Sequence, residues 1–229
     1  MSAINYYRRI PRSRSMHSRL ISYGLLTVGV VGLLISGFLY NHHAGSPPDN
    51  LKVSSVDVAP APSSVKPTVE AVASYNVAPT LPKYISIPSI GISNTRIIRL
   101  GILSNGQIAT PDNIYDTGWY DASAKPGQNG AMFIYGHVSS WTANGIFYNL
   151  KKLQPGDDIT ITRGDNQIFT YQVITIKIYP YMNVDMSAVL SPIKPTLPGL
   201  NLMTCTGQVI AGTSEFNERL VVFTSLVSS

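Results

Sequence analysis

Apolar and polar positions divide the chain into three stretches of different character. From Leu20 to Tyr40 no residue is charged. At about 1.5 Å rise per residue such a run crosses the roughly 30 Å hydrocarbon layer of a bilayer as a helix. It exceeds the roughly 7–15 apolar residues of a cleaved signal, and no convincing small-x-small site follows at once, so an uncleaved transmembrane anchor is expected. Residues 41–82 are rich in Pro, Ala, Ser and Val (SPPDN, VAPAPSSVKPTVEAVAS, VAPTLP). They hold neither a helical nor a strand period, and their prolines interrupt both, which predicts an extended, semi-rigid linker.

From Lys83 to the end, short β-branched and aromatic runs alternate with turn residues: YISIP, TRIIRL, QIAT, AMFIYG, DITITR, IFTYQVITIKIY, LNLMTC and RLVVFTSLV. These predict eight strands. Pro126-Gly127, Pro155-Gly156 and Arg163-Gly164-Asp165-Asn166 punctuate them. Phe147, Leu150 and Leu153, at three-residue spacing, predict one short helix between Ala143 and Leu153. So many strands at short spacing point to a closed β-barrel rather than a βαβ sheet.

Charge changes this picture only once it is located. The formal net charge is +5, but Arg8, Arg9, Arg12, Arg14 and Arg19 all precede the apolar run, and the remaining twelve Lys and Arg equal the twelve Asp and Glu. The folded part therefore has no basic excess for nucleic acid. By the positive-inside rule the tail, residues 1–19, is expected in the cytoplasm, residues 20–40 in the cell membrane, and the linker and the domain at 83–229 outside. A single cysteine there forms no intramolecular disulfide and is either a buried inert thiol or a reactive one.

Of the four histidines, His17, His42 and His43 lie in or near the membrane flanks, which leaves His137 as the one imidazole of the domain and Cys205 as its one thiol. Taken singly, each residue is more often structural than catalytic. Both, however, follow a predicted strand, where a rigid element aims a side chain that a loop leaves accessible. Gly136 is expected to keep the approach to His137 open, and Gly207 to let the chain turn after Cys205. A thiol near neutrality needs a base to become a nucleophile, and an imidazole can take that proton and return it to a leaving amine. Acyl transfer also needs a donor at the oxyanion, and Arg219 can reach Cys205 across a hairpin. Arg96, Arg99 and Arg163 lack that relation and are expected to be solvated.

The segment from Lys83 to Leu226 resembles the sortases, cysteine transpeptidases that attach secreted proteins to Gram-positive-type cell walls. The resemblance rests on IPSIGI, DTGWY with PGQNG, FIYGHV, FYNLKKLQPGDDITI, LMTC and RLVV, all in family order. It implies an eight-stranded sortase-type β-barrel and a Cys205, His137 and Arg219 site, with backbone N–H groups near Thr204 in the oxyanion region. One position departs: Asn201 stands where the family commonly has the first Thr of Thr-Leu-x-Thr-Cys. The GWY, PG and GHV blocks are most similar to classes D, E and F, and residues 41–82 carry no aromatic lid motif.

The resemblance further implies a secreted partner bearing an LPXTG-like sorting signal, a thioacyl-enzyme, and an amine acceptor from a peptidoglycan precursor or a protein lysine. No cofactor is implied. The acidic residues show no calcium-loop spacing, so no metal and no calcium dependence are expected. Two rivals share parts of this pattern. An L,D-transpeptidase or other cysteine peptidase of the wall also pairs Cys with His, but the former keeps its histidine close to its cysteine and papain-like enzymes place the cysteine first. A non-catalytic envelope-binding barrel would carry the same linker.

Overall fold

The computed structural model of the chain describes residues 61–229. The predicted tail, the anchor at 20–40 and the first part of the linker lie outside the described residues. The β-branched and aromatic runs form eight strands: β1 (Pro82–Ile87), β2 (Ile92–Leu100), β3 (Thr117–Tyr120), β4 (Ala131–Gly136), β5 (Asp158–Arg163), β6 (Ile168–Pro180), β7 (Gly199–Val209) and β8 (Phe216–Ser228). They close into a barrel in the order β1-β2-β3-β4-β7-β8-β6-β5. The β2–β3 and β4–β7 pairs are parallel, and the remaining pairs are antiparallel. Two short helices accompany them, α1 (Val69–Ala73) and α2 (Met186–Val189).

Strand alternation sorts the side chains. In β4, β7 and β8 the even positions Met132, Ile134, Leu200, Leu202, Leu220 and Val222 belong to one buried apolar cluster. The odd positions Phe133, Val221 and Phe223 belong to a second, with Tyr135 and Met203 packed against it. A period of two puts successive residues on opposite faces. The larger cluster, which also draws on β1, β5 and β6, fills the barrel, and the smaller one lies on the outside of its wall.

Four expectations are corrected. QIAT is not a strand: Ile108 makes only an isolated bridge to Ile102, and Pro111, without an N–H, ends the run. Thr117–Tyr120 occupies the place in the wall instead, between β2 and β4. No α-helix spans 143–153. There Gly145 donates to the Val138 carbonyl and Phe147 to that of His137, so these amides close a loop onto the end of β4, leaving one 3₁₀ turn at Leu150–Lys152. The linker reading also ends too late, because residues 61–81 already fold against the barrel. Thr68 caps α1, Tyr75 Oη donates to the Ile97 carbonyl at 2.6 Å, and Ser63 exchanges backbone hydrogen bonds with Asp112 and Ile114.

Arg96 is the fourth correction. It is not solvated: its guanidinium grips Asp116 with two parallel bonds of 2.9 and 2.7 Å, and the two side chains are 20% and 6% exposed. Arg99, 70% exposed beside Asp121, is solvated as expected. Removing one member of a buried ion pair leaves the other charge uncompensated. Arg96→Ala is therefore expected to lower unfolding stability by about 3 kcal/mol, and Arg99→Ala by under about 1 kcal/mol, measured by urea denaturation.

Candidate active site

Register brings the predicted residues together. Cys205 in β7 is the direct cross-strand partner of Arg219 in β8. On its other side β7 runs parallel to β4 with Tyr135 opposite Met203. His137 follows the last residue of β4, and Tyr135 connects it with the thiol, its ring against the imidazole and its hydroxyl at Cys205 Sγ. Cys205 and Arg219 occupy odd strand positions, so they lie on the outer face with the smaller apolar cluster rather than in the barrel.

Each is held differently. His137 Nε2 lies 2.8 Å from the Pro111 carbonyl. A carbonyl only accepts, so Nε2 carries the hydrogen and Nδ1 of the neutral ring holds the lone pair. Burial lowers the His137 pKa, and the Pro111 bond opposes that shift. The loop over the ring requires glycine at 145, where a Cβ would lie 2.3 Å from the His137 carbonyl oxygen. Gly136 does not leave the approach open as expected: the Phe147 ring packs into the space its side chain would take, 2.5 Å from an ideal Cβ. Gly207 does not turn the chain either. It sits at φ +82° in a register shift of β7 between Thr206 and Val209, a bulge just beyond the thiol.

Cys205 is a partly exposed free thiol. Burial pushes its pKa up, against the lowering effects of the Tyr135 hydrogen bond and of the Arg219 charge, while Glu215 adds to the rise. Thiol and imidazole are therefore both mostly neutral between their two pKa values. Arg219 is oriented by its own loop. Nη1 donates to the Phe216 and Glu218 carbonyls, Nη2 pairs with Glu215 at 2.9 Å, and the guanidinium stacks over Tyr181. Beside the thiol opens a cavity of about 340 Å³, bounded by Val138, Asn144, Tyr148, Thr206 and Leu220.

Thr204 serves the frame. Its hydroxyl is buried and donates to the Gly136 carbonyl at 2.8 Å, which ties β7 to β4 between the cysteine and the histidine and leaves no side-chain donor for a substrate. Asn201, fully buried, donates through Nδ2 to the Val189 and Ser191 carbonyls at 2.7 and 3.0 Å and so anchors the connection from β6 to β7. Tyr135 was not among the sequence candidates. Its Oη lies 3.1 Å from Cys205 Sγ, and its ring meets His137 edge-on at 5.9 Å. The available signal was its place near the end of a strand, two residues before His137. The Pro111 carbonyl, a backbone group on a distant loop, had no sequence signal.

A family model, the sortase domain, matches residues 85–227. The chain belongs to the sortase family. It is a cysteine transpeptidase, and Cys205 is its single cysteine. No curated protein matches it. Among solved structures it is similar to a Clostridium perfringens Sortase D5 transpeptidase at 29% identity, over 63% of this chain and 77% of that one, with a TM-score of 0.46. It is similar to sortase A from Corynebacterium diphtheriae at 26% identity, over 67% and 63%, with a TM-score of 0.50. The SrtA sortase from Actinomyces oris is similar at 21% identity over 76% and 88%, again with a TM-score of 0.50, a likeness of fold.

The opposed shifts of this sortase fix the form of its pH dependence. Because the thiol titrates above its usual value and the imidazole below, the fraction holding thiolate and imidazolium together is small and nearly constant between the two. Initial rates of peptide cleavage are expected to give a kcat/KM that rises through an apparent pKa below about 6.5, levels off, and falls above about 8.5. A narrow bell centred between those usual values would contradict the assignment.

Proposed function

We propose that Cys205 is the nucleophile, His137 the acid–base and Arg219 the oxyanion partner of a sortase that processes LPXTG-like sorting signals on secreted proteins. The pairing of Cys205 with Arg219 across β7 and β8, with Tyr135 touching both the thiol and the His137 ring, is the observation that carries this reading. The signal lies extended on the outer face of the wall, where Met203, two residues before the thiol, together with Tyr120, Val184 and Ile193 packs against the outer apolar cluster. The Cys205 thiolate attacks the threonine carbonyl. Arg219 exchanges Glu215 for the oxyanion, and His137 protonates the departing amine to leave a thioacyl-enzyme. An amine of a peptidoglycan precursor or a protein lysine then resolves it.

The uncharged run at 20–40 and the arginines before it support a single-pass anchor with the catalytic domain outside the membrane. The GWY, PG and GHV blocks favour classes D to F.

Mass spectrometry of the full chain in detergent, incubated with a library of sorting-motif peptides, is expected to find a thioester on Cys205 and none in Cys205→Ala. Processing of wall stem peptides with LPXTG-like peptides left intact would overturn the substrate assignment. Arg219→Lys keeps the charge but loses the planar fork, and is expected to lower kcat by about 10²–10³-fold. Chelation of calcium with EGTA is expected to leave turnover unchanged.

A further inference from the structure

Tyr135 points its hydroxyl at the reacting atom. Among the described residues, its Oη has Cys205 Sγ as its hydrogen-bond partner, at 3.1 Å. The contact follows from the register: Tyr135 lies opposite Met203, two residues before Cys205 on the same face, within diagonal reach of a long side chain on the neighbouring strand. Its ring is fixed by edge-on packing against His137 and by the outer apolar cluster, so the hydroxyl is aimed by the wall.

We propose that Tyr135 is a further catalytic residue of this sortase, a fixed O–H donor that stabilises the Cys205 thiolate and orients its free lone pair toward the scissile carbonyl. The inference rests on the reading of Cys205 as nucleophile. In the neutral thiol either atom can donate, but a thiolate only accepts, so ionisation turns the contact into a charge-assisted bond from phenol to sulfur. The thiol proton leaves for the His137 imidazole, and Tyr135 keeps its own throughout. When sulfur bonds to the acyl carbon its charge is lost and the bond weakens; it re-forms when the acceptor amine releases the thiolate.

Burial and the neighbouring Cys205 hold the Tyr135 pKa well above the usual phenol range, so it stays a donor wherever the enzyme works. The other ionisable groups facing the sulfur cannot substitute for it. The neutral His137 ring spends its one N–H on Pro111 and has none for the sulfur. Arg219 directs three of its N–H bonds to Phe216, Glu218 and Glu215 and favours the thiolate through its charge rather than through a bond to the sulfur, while Glu215 disfavours it. Glu218 lies opposite Thr206, one position beyond the thiol.

The test is Tyr135→Phe in the full chain, which deletes one oxygen and keeps the ring against His137. Alkylation of Cys205 by iodoacetamide, followed by intact mass across pH, reads the thiolate directly. The midpoint is expected to rise by about one pH unit, equivalent to about tenfold less thiolate at a given pH below it. Peptide kcat/KM is expected to fall by a similar factor, mainly in kcat. An unchanged alkylation midpoint overturns the proposal, whatever turnover does, because a merely structural tyrosine leaves thiol ionisation alone. Cys205→Ala separates the two readings: if it still processes peptide the nucleophile assignment fails, and if it is dead while Tyr135→Phe alkylates like wild type only the tyrosine assignment fails.

Discussion

The ladder that joins β4 to β7 and β7 to β8 sets the distances on which the chemistry depends. It matches Tyr135 with Met203 and Cys205 with Arg219, so the ladder itself brings the thiol to the arginine and to the tyrosine. A slip of one residue in either pair would turn the thiol from the outer face into the barrel. The Thr204 hydroxyl, bonded to the Gly136 carbonyl, sits where such a slip would begin, and the fully buried Leu200, Leu202 and Val222 resist it by packing inward. Catalytic geometry and core packing are consequences of one register.

Around that frame the environment favours neutrality. Burial raises the thiol pKa and lowers that of the imidazole, and the arginine is turned toward Glu215 and its own loop carbonyls. Such a site keeps little thiolate at rest, and in the proposed mechanism the incoming peptide completes it. In the proposed mechanism the oxyanion competes for Arg219 with Glu215, whose side chain is 55% exposed against 14% for the arginine. The segment before the barrel takes part as well. Ser63 pairs with Asp112 and Ile114 next to Pro111, whose carbonyl fixes the His137 ring, so this segment braces the loop that orients the imidazole.

Much of the fold was legible because strands write their period into the sequence. Seven of the eight predicted runs became strands; QIAT did not, because its hairpin closes on Ile102 and stops at proline. TGWY was unreadable as a strand, since a glycine beside aromatics has no alternation, and its place depends on Leu100 filling the space above Gly118. Arg96 was misread for a related reason. Asp116 is far away in sequence and meets it only once β2 and β3 align.

What the sequence determined by itself is the choice of chemistry: one thiol and one imidazole in the domain, an arginine in strand-forming context, and ordered blocks shared with a family of transpeptidases. Those are properties of residue type and order, which need no third dimension. The tertiary structure alone decided which nitrogen of His137 holds the proton, where Arg219 rests, and that Tyr135 touches the sulfur. Each depends on contacts between segments far apart in the chain, and a sequence leaves the register of those segments unspecified until the barrel closes.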